Sequence, residues 1–225
     1  MRLVSWLAIG GGIATLAWAG VVWRWEDPFT GAYTAYQQAK LESRYRELAS
    51  AYGAGPGNRP SVAARARELS ALAGRGQPIG RLRVPAIGVD MLVVNGTDAA
   101  SLKRGPGRYA GTRADLGSYA GAPPPASMPG EGQLVYVAGH RTTYGAPFAD
   151  IDKIARGDRV RFELPYAVFD YVVSEKRIVA ASETAVLRSR GVEEIVLQAC
   201  HPRFSAARRY LVYAKAVRVT ARAPA

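Results

Sequence analysis

The feature that most constrains the fold is a series of short β-type runs that begins near Pro78 and continues almost to the C-terminus. Turn residues separate these runs, and almost no helical pattern lies between them. Closely spaced strands of this kind are typical of a small closed barrel or a sandwich. The candidate strands are Gly80 to Val84, Met91 to Asn95, Gln133 to Ala138, Arg159 to Leu164, Ala167 to Ala180, Glu194 to Cys200 and Tyr210 to Val219.

The first 25 residues predict a membrane anchor. Residues 3–23 contain no charged side chain, and about 20 apolar residues suffice to cross a bilayer. A cleaved signal peptide is the alternative, because Ala17-Trp18-Ala19 resembles the small-residue cleavage pattern. The apolar run continues past this point to Trp23, which favours a retained anchor over residues 1–25.

The next 52 positions, residues 26–77, predict two helices between the anchor and the strands. Apolar and aromatic residues recur at helical spacing over residues 32–52. A second helix is predicted over residues 61–74, with Ser61 as its N-cap and Gly74 as its end. We interpret this region as a juxtamembrane stalk that holds a barrel domain, residues 78–221, away from the membrane. Residues 222–225 are then a short tail.

Charge and cysteine content narrow the class of protein only partly. Thirty Lys and Arg against 18 Asp and Glu give a formal net charge of +12. Such a charge attracts nucleic acid, anionic lipid or an anionic cell wall, and it does not choose among them. A single cysteine cannot form an internal disulfide, so the thiol is either an inert buried group or a reactive one.

That cysteine, Cys200, lies at the end of an apolar run that reads EEIVLQAC. Adjacent side chains of a strand point to opposite faces, so Cys200 shares a face with Val196 and Gln198, and His201 lies on the other. We therefore expect His201 to be a loop residue and not the catalytic partner of the thiol. Pro202 marks the end of the strand and places Cys200 at a rim of the fold.

The other histidine, His140, ends a second apolar run, QLVYVAGH. Gly139 lets the backbone approach a neighbour closely at this point. If the two runs form neighbouring parallel strands, His140 and Cys200 meet at one rim, as a cysteine nucleophile and its acid/base partner require. Spacing alone is equally compatible with the alternative that His140 caps the end of a strand and Cys200 is buried in a core.

The segment after the cysteine predicts a hairpin. Residues 201–208 form a short connection and residues 209–217 form the next strand, so Arg209 returns to the rim that bears Cys200. A fixed guanidinium there can stabilise the oxyanion that forms when sulfur attacks a carbonyl. Arg203 and Arg208 compete with Arg209 for this role.

Two segments of the chain resemble the sortases, and specifically the class E sortases of high-GC Gram-positive bacteria, the actinobacteria. VYVAGHRTTYGAPFADID at 135–152 is similar to the family's AGHRTTYGAPF segment, and LQACHPRFSAARRYLV at 197–212 is similar to its T-x-T-C-x-P-x-F-S-x-x-x-R segment. The resemblance extends to VPAIGVDMLVVNGT at 84–97 and LKRGPGRYAGT at 102–112. It therefore covers most of residues 78–219.

The resemblance implies a mostly β fold, an eight-stranded sortase-like barrel with an N-terminal transmembrane helix and a helical juxtamembrane segment. It implies that His140 is the general acid/base, Cys200 the nucleophile and Arg209 the transition-state arginine. It implies neither a cofactor nor a metal.

The function that the resemblance implies is that of a membrane-anchored cysteine transpeptidase. Such an enzyme cleaves the Thr-Gly bond of an LAxTG- or LPxTG-like sorting signal and joins the protein to an amino group of a peptidoglycan precursor. The expected partners are secreted proteins with a C-terminal sorting signal, the precursor amine and the membrane, but not nucleic acid. We expect a monomer with a single membrane pass, a cytoplasmic N-terminus and an extracellular catalytic domain.

The chain departs from the family pattern at two places. Leu197-Gln198-Ala199 stands before the cysteine where the family commonly has hydroxyl-bearing residues, and the loop at 113–132 is longer than usual. The first departure concerns the tuning of the site, and the second concerns substrate preference.

Two other functions are compatible with the residues. One is a cysteine peptidase that releases its acyl group to water, and the other is a non-enzymatic basic barrel that binds anionic wall polymer. A metal site built from Cys200, His140 and His201 is disfavoured, because no fourth ligand is evident.

Overall fold

The structure, a computed structural model, describes residues 2–24, 28–53, 61–116 and 122–222. Eight strands form a closed barrel in the order β1-β2-β3-β4-β7-β8-β6-β5. The predicted mostly β, eight-stranded barrel is therefore confirmed. The strands are β1 (Pro78–Val84), β2 (Val89–Asn95), β3 (Gly107–Arg108), β4 (Leu134–Ala138), β5 (Arg159–Glu163), β6 (Ala167–Ala180), β7 (Glu194–His201) and β8 (Arg208–Ala221).

Strand β3 is the one strand that the apolar runs did not predict. It has only two residues, Gly107 and Arg108, which is too short for any alternation of polar and apolar side chains. Its place in the barrel comes from its neighbours, because it pairs in parallel with β2 and antiparallel with β4. A strand of only two residues therefore completes the barrel, although no sequence pattern predicts it.

Alternation along the strands builds the main core inside the barrel. Odd-numbered residues of β4 and β7, such as Val135, Val137, Ile195 and Leu197, are fully buried in this core. The even-numbered residues of both strands face outward. There Leu134 and Val196 belong to a second apolar cluster, which also contains Val186, Leu211 and Tyr213. The strands that carry the candidate site are therefore buried on both faces.

Two of the helices pack against the barrel. In α2 (Pro28–Gly53), Leu41 and Tyr45 are buried against Leu92 and Val94 of β2. Buried residues of α3 (Val62–Leu72) join the main core. Apolar burial therefore attaches both helices to the barrel. The predicted Ser61 cap is confirmed, since its hydroxyl accepts a hydrogen bond from the Ala64 N–H at 3.2 Å.

Polar contacts also tie α2 to the barrel. The Gln38 side-chain amide forms two hydrogen bonds with the backbone of Leu92. It donates to the carbonyl at 3.0 Å and accepts from the N–H at 2.8 Å. The same amide donates to the Arg104 carbonyl at 2.8 Å. The Tyr45 hydroxyl donates to the Glu163 carbonyl at 3.1 Å. Helix α2 therefore supplies partners for backbone groups of the barrel that would otherwise need water.

The N-terminal segment forms a helix, α1 (Arg2–Arg24), and a one-turn helix, α4 (Ala99–Leu102), follows β2. Among the described residues, no helix combines the length and the apolar character needed to cross a membrane. The predicted transmembrane helix therefore stays a prediction. Met1 and residues 25–27, at the ends of that segment, lie outside the described residues.

Candidate active site

Parallel pairing of β4 and β7 brings the ends of both strands to the same rim. Ala138 lies opposite Gln198, and the Gly139 N–H donates to the Gln198 carbonyl at 2.9 Å, so the pairing continues past the end of β4. Two residues further along the same register stand His140 and Cys200. The structure thus contains the parallel neighbouring strands that the two apolar runs require for these side chains to meet.

The hairpin of β7 and β8 adds the third predicted residue. Cys200 pairs directly with Arg209, and His201 pairs with Arg208. Partners across an antiparallel ladder face the same side, so the Arg209 side chain shares the outward face with the thiol while Arg208 takes the other. Cys200 and Arg209 are therefore direct partners on one face, and His140 lies two residues past the end of the neighbouring strand β4.

Arg209 is held by the loop that precedes it. Its Nη1 donates to the carbonyls of Ala206 at 2.8 Å and Arg208 at 3.1 Å. A guanidinium carries five N–H donors. Both of these hydrogen bonds use Nη1, and Nε and Nη2 carry the other donors of the group. These two nitrogens can donate to an oxyanion while Nη1 keeps the side chain in place.

The side chain of His140 is partly buried. Its Nε2 is buried and has no hydrogen-bond partner among the described residues, and the Tyr144 ring lies 5.2 Å from the imidazole. Burial lowers the pKa of His140, and the positive charge of Lys103 lowers the pKa further. The neutral form of the imidazole is therefore favoured, which suits a group that must first accept a proton.

Gly139 is required at the position before the histidine. A Cβ built there would lie 2.6 Å from a ring carbon of Phe148, which is fully buried. The Phe148 N–H in turn donates to the His140 carbonyl at 3.1 Å. The predicted close approach of the backbone at Gly139 is confirmed, and the approaching group is an aromatic side chain of the loop that follows.

A polar pair, Tyr136 and Gln198, lies on the same face as the thiol, and strand alternation in the sequence placed only Gln198 there. The Tyr136 hydroxyl donates to Gln198 Oε1 at 3.0 Å, and both residues precede the site on its own face. Burial raises the pKa of Tyr136, while the nearby charge of Arg209 opposes this rise. The phenol therefore remains protonated. Strand alternation, applied backwards from His140, would have identified Tyr136 as well.

His201 is held away from the thiol by a buried arginine. Arg141, whose side chain is 5% exposed, forms an ion pair with Asp152 at 2.7 Å and places Nη1 3.0 Å from His201 Nδ1. A guanidinium only donates, so Nδ1 accepts and the imidazole of His201 carries its proton on Nε2. His201 is the last residue of β7, so its prediction as a loop residue was wrong.

The outer face of the sheet also carries a cavity on the far side of β8. Strand β6 lies beside β8, with Val179 opposite Arg209 and Arg177 opposite Leu211. The connection from β6 to β7 folds over this face and leaves a cavity of about 380 Å³, lined by Arg177, Val179, Val186 and Tyr213 among others. An extended peptide lying on this face would therefore have apolar and basic groups along its path.

The described residues contain no group of three or more His, Cys, Asp or Glu side chains that could hold a metal ion. Cys200 is a free, partly exposed thiol. This end of the barrel thus carries a free thiol, an imidazole whose neutral form is favoured and a guanidinium, which are the kinds of group that acyl transfer through a thioester requires.

Comparison with known proteins decides the family. Residues 82–217, more than half of the chain, match the family described as the Sortase domain. This chain is a member of the sortase family. Sortases are cysteine transpeptidases, and Cys200 is the only cysteine that this sortase contains.

The similar proteins span more than one sortase class. Sortase D of Bacillus subtilis (strain 168) is 27% identical over 221 residues, which cover 96% of this chain and 98% of that protein. The crystal structure of sortase E1 from Streptomyces coelicolor, with a tripeptide in its active site, is 26% identical, has a TM-score of 0.57 and covers 65% of this sortase and 92% of that chain. Sortase D5 of Clostridium perfringens, at 21% identity, shares the fold with a TM-score of 0.59 over 81% of this chain and 99% of that one. These likenesses show the family and leave the class undecided.

Proposed function

We propose that this sortase cleaves the Thr-Gly bond of an LAxTG- or LPxTG-like sorting signal and joins the protein to an amino group of a peptidoglycan precursor. In this proposal Cys200 is the nucleophile, His140 the acid/base and Arg209 the oxyanion donor. The observation that carries it is the register of β4, β7 and β8, which gathers these residues on one face of the sheet.

The first half-reaction breaks the peptide bond. Neutral His140 accepts the thiol proton as Cys200 Sγ attacks the threonine carbonyl carbon, and Arg209 donates hydrogen bonds to the resulting oxyanion. As the C–N bond breaks, His140 returns the proton to the leaving glycine amine. The acyl group remains on Cys200 as a thioester, which preserves its reactivity toward an incoming amine.

The second half-reaction forms the new amide. The amine of the wall precursor attacks the thioester carbonyl, and His140 accepts the proton that the amine loses. The C–S bond then breaks, and the sulfur of Cys200 regains a proton from His140. Because both half-reactions use the same three groups, loss of any one of them blocks cleavage and joining together.

The sorting signal would lie on the outer face of the sheet, between β7, β8 and the β6–β7 connection. An extended peptide there passes Val179 and Val186, which line the cavity on this face, and ends at Cys200. The AGHRTTYGAPF segment and the likeness to sortase E1 support a class E enzyme, and this class implies LAxTG as the preferred signal. Turnover of paired LAxTG and LPxTG peptides measures that preference directly.

The N-terminal segment is proposed to attach the enzyme to the cell membrane, with the barrel outside the cell. Its support is the uncharged run over residues 3–23 and the exposure of apolar side chains along α1, including Val4, Leu7, Ile13 and Leu16. Burial of these side chains in lipid would remove that apolar surface from water.

The proposed reaction is tested by product analysis. The full-length chain is incubated with a sorting-signal peptide, with and without an amine such as a short glycine peptide, and the products are separated by mass. We expect the amide product whenever the amine is present, and no product from Cys200→Ala. If only the free acid forms at every amine concentration, the protein is a peptidase that passes its acyl group to water. If Cys200→Ala retains the activity, the nucleophile is assigned wrongly.

A further inference from the structure

Backbone strain is concentrated beside the two strand ends that carry the site. Among the described residues, the non-glycine residues with a positive φ are Tyr144 (53°), Ala146 (35°) and Phe204 (63°). The first two follow His140 closely, and the third follows Cys200. A bulky side chain adopts this left-handed conformation only where surrounding contacts hold it there, and such residues cluster at functional sites.

The contacts that hold Tyr144 come from its own loop and from α2. Its backbone N–H donates to the Thr30 hydroxyl at 2.8 Å. The loop turns back immediately afterwards, since the Ala146 N–H donates to the Thr143 carbonyl at 2.9 Å. Thr34, one turn further along α2, is buried and donates to the Lys103 carbonyl at 3.0 Å. The first turns of α2 therefore brace this loop against the barrel.

The left-handed backbone at Tyr144 places its ring against the imidazole of His140. The ring lies 5.2 Å from the His140 imidazole and 6.3 Å from the Tyr33 ring, and Lys103 Nζ lies 5.6 Å from its centre. A catalytic imidazole is ordinarily oriented by a hydrogen bond to a neighbouring group. The buried Nε2 of His140 has no such bond within the described part of the chain, and the Tyr144 ring packs against the imidazole.

We infer that Tyr144 is a positioning residue for His140, held in place by Thr30 at the start of α2. Its ring restrains the imidazole and keeps water away from it, and it does not touch the reacting atoms. This inference rests on the proposed role of His140. It assigns a functional task to the N-terminal turn of α2, since loss of the Thr30 contact frees the ring that orients the base.

The test compares Tyr144→Asn with Tyr144→Phe in the full-length chain. Asparagine tolerates the left-handed backbone but lacks the ring, whereas phenylalanine keeps the ring and loses only the hydroxyl. We expect kcat/KM to fall in Tyr144→Asn by on the order of tenfold to a hundredfold, the cost of a misplaced catalytic group. Tyr144→Phe stays near wild type.

The second readout is the titration of His140, followed by NMR. The chain has two histidines, so His201→Ala assigns the two signals. The charged group that acts on the imidazole is Lys103 after α4, and the titratable groups that pack on this side are Tyr144 and, behind it, Tyr33 of α2. Removal of the ring exposes the imidazole to water, so the pKa of His140 should rise toward its ordinary value in Tyr144→Asn and stay unchanged in Tyr144→Phe.

Two further variants keep the inference falsifiable. Tyr36→Asn removes an exposed ring from the same helix, and it should change neither readout. Thr30→Val removes the hydroxyl that accepts a hydrogen bond from the Tyr144 N–H, and it should shift both readouts in the same direction as Tyr144→Asn. If Tyr144→Asn does not fold, Thr30→Val takes its place in the test.

A folded Tyr144→Asn with wild-type turnover and an unshifted His140 titration overturns the inference. A fall in activity that only follows the unfolded fraction, with no titration shift, also overturns it. Full activity in His140→Ala would contradict the proposed reaction instead, so the two failures are distinguishable.

Discussion

At the scale of single residues, the proposed mechanism depends on which arginine faces the Cys200 thiol. Three arginines follow the cysteine closely, and pairing separates them, because Arg209 lies opposite Cys200 while Arg208 lies opposite His201. Arg203 is exposed in the turn between the two strands. The register of the β7–β8 hairpin therefore selects Arg209 as the proposed oxyanion donor.

We expect Arg209→Ala to lower turnover by about a hundredfold, the usual cost of losing an oxyanion donor. Arg209→Lys should recover little, since an ammonium keeps the charge but lacks the planar set of donors. The matched controls Arg208→Ala and Arg203→Ala should remain near wild type. Steady-state kinetics on variants with native circular dichroism provides the measurement, and a wild-type rate for Arg209→Ala would refute the assignment.

The two histidines should respond differently to substitution. His140→Ala should abolish transpeptidation, because it removes the group that carries the proton in both half-reactions. His201→Ala should keep most of the activity, although it removes the acceptor for Arg141 and should lower the thermal midpoint. Rates and melting curves of the two variants separate these effects. Equal loss of activity would mean that no single catalytic histidine can be assigned.

At the scale of secondary-structure elements, α2 belongs to the folded domain. Leu41 is 3% exposed and packs on β2, whereas Tyr36 on the same helix is 58% exposed. Burial of one face of α2 removes apolar surface from water and completes the outside of the barrel at β1 and β2. The helix that the sequence presented as a spacer is thus part of the structure that supports the site.

This packing predicts a loss of stability in Leu41→Ala. Truncation of a buried leucine costs about 2 to 4 kcal/mol in the free energy of unfolding, and Tyr36→Ala, as the control, should cost little. Urea unfolding followed by tyrosine fluorescence and circular dichroism measures both variants, since all four tryptophans lie within residues 6–25. Identical unfolding curves for Leu41→Ala and the wild type would show that α2 does not contribute to the folded domain.

Seven of the strands followed from the sequence because each one is long enough to display apolar periodicity. Strand β3 has two residues and its pairing is decided by distant neighbours, so no local pattern could indicate it. The helical spacing of α2 was predicted correctly, but spacing does not state which surface an apolar face will cover. The placement of His140, Cys200 and Arg209 followed from alternation and from the family resemblance. The role of Tyr144 needed tertiary contacts from α2, 114 residues away from it along the chain.

At the scale of the whole molecule, the proposed location of the barrel depends on the N-terminal segment. The described residues contain no helix that is long and apolar enough to cross a bilayer, yet the apolar side chains of α1 remain exposed. The likeness to sortase D of Bacillus subtilis covers 96% of this chain, so it includes most of this segment as well. Membrane attachment through residues 1–25 therefore stays a proposal that requires a direct measurement.

We expect the mature protein to remain in the membrane fraction with Met1 or Arg2 still present. The uncharged run continues past Ala19, so no cleavage is expected there. Cell fractionation followed by N-terminal peptide mass spectrometry measures both properties. A soluble form that begins at Gly20 would show that the segment is a cleaved signal and would contradict the proposed anchor.

The central claim, that Cys200 carries the acyl group between the two half-reactions, is tested most directly by intact-mass spectrometry of the full-length chain. The protein is incubated with an LAxTG peptide without amine and quenched in acid, and the adduct is mapped by peptide digestion. We predict a thioester on Cys200 that carries the peptide up to its threonine, that disappears when an amine is added, and that is absent in Cys200→Ala. Cleavage of the peptide at the Thr-Gly bond by Cys200→Ala, or an adduct on any other residue, would contradict the account.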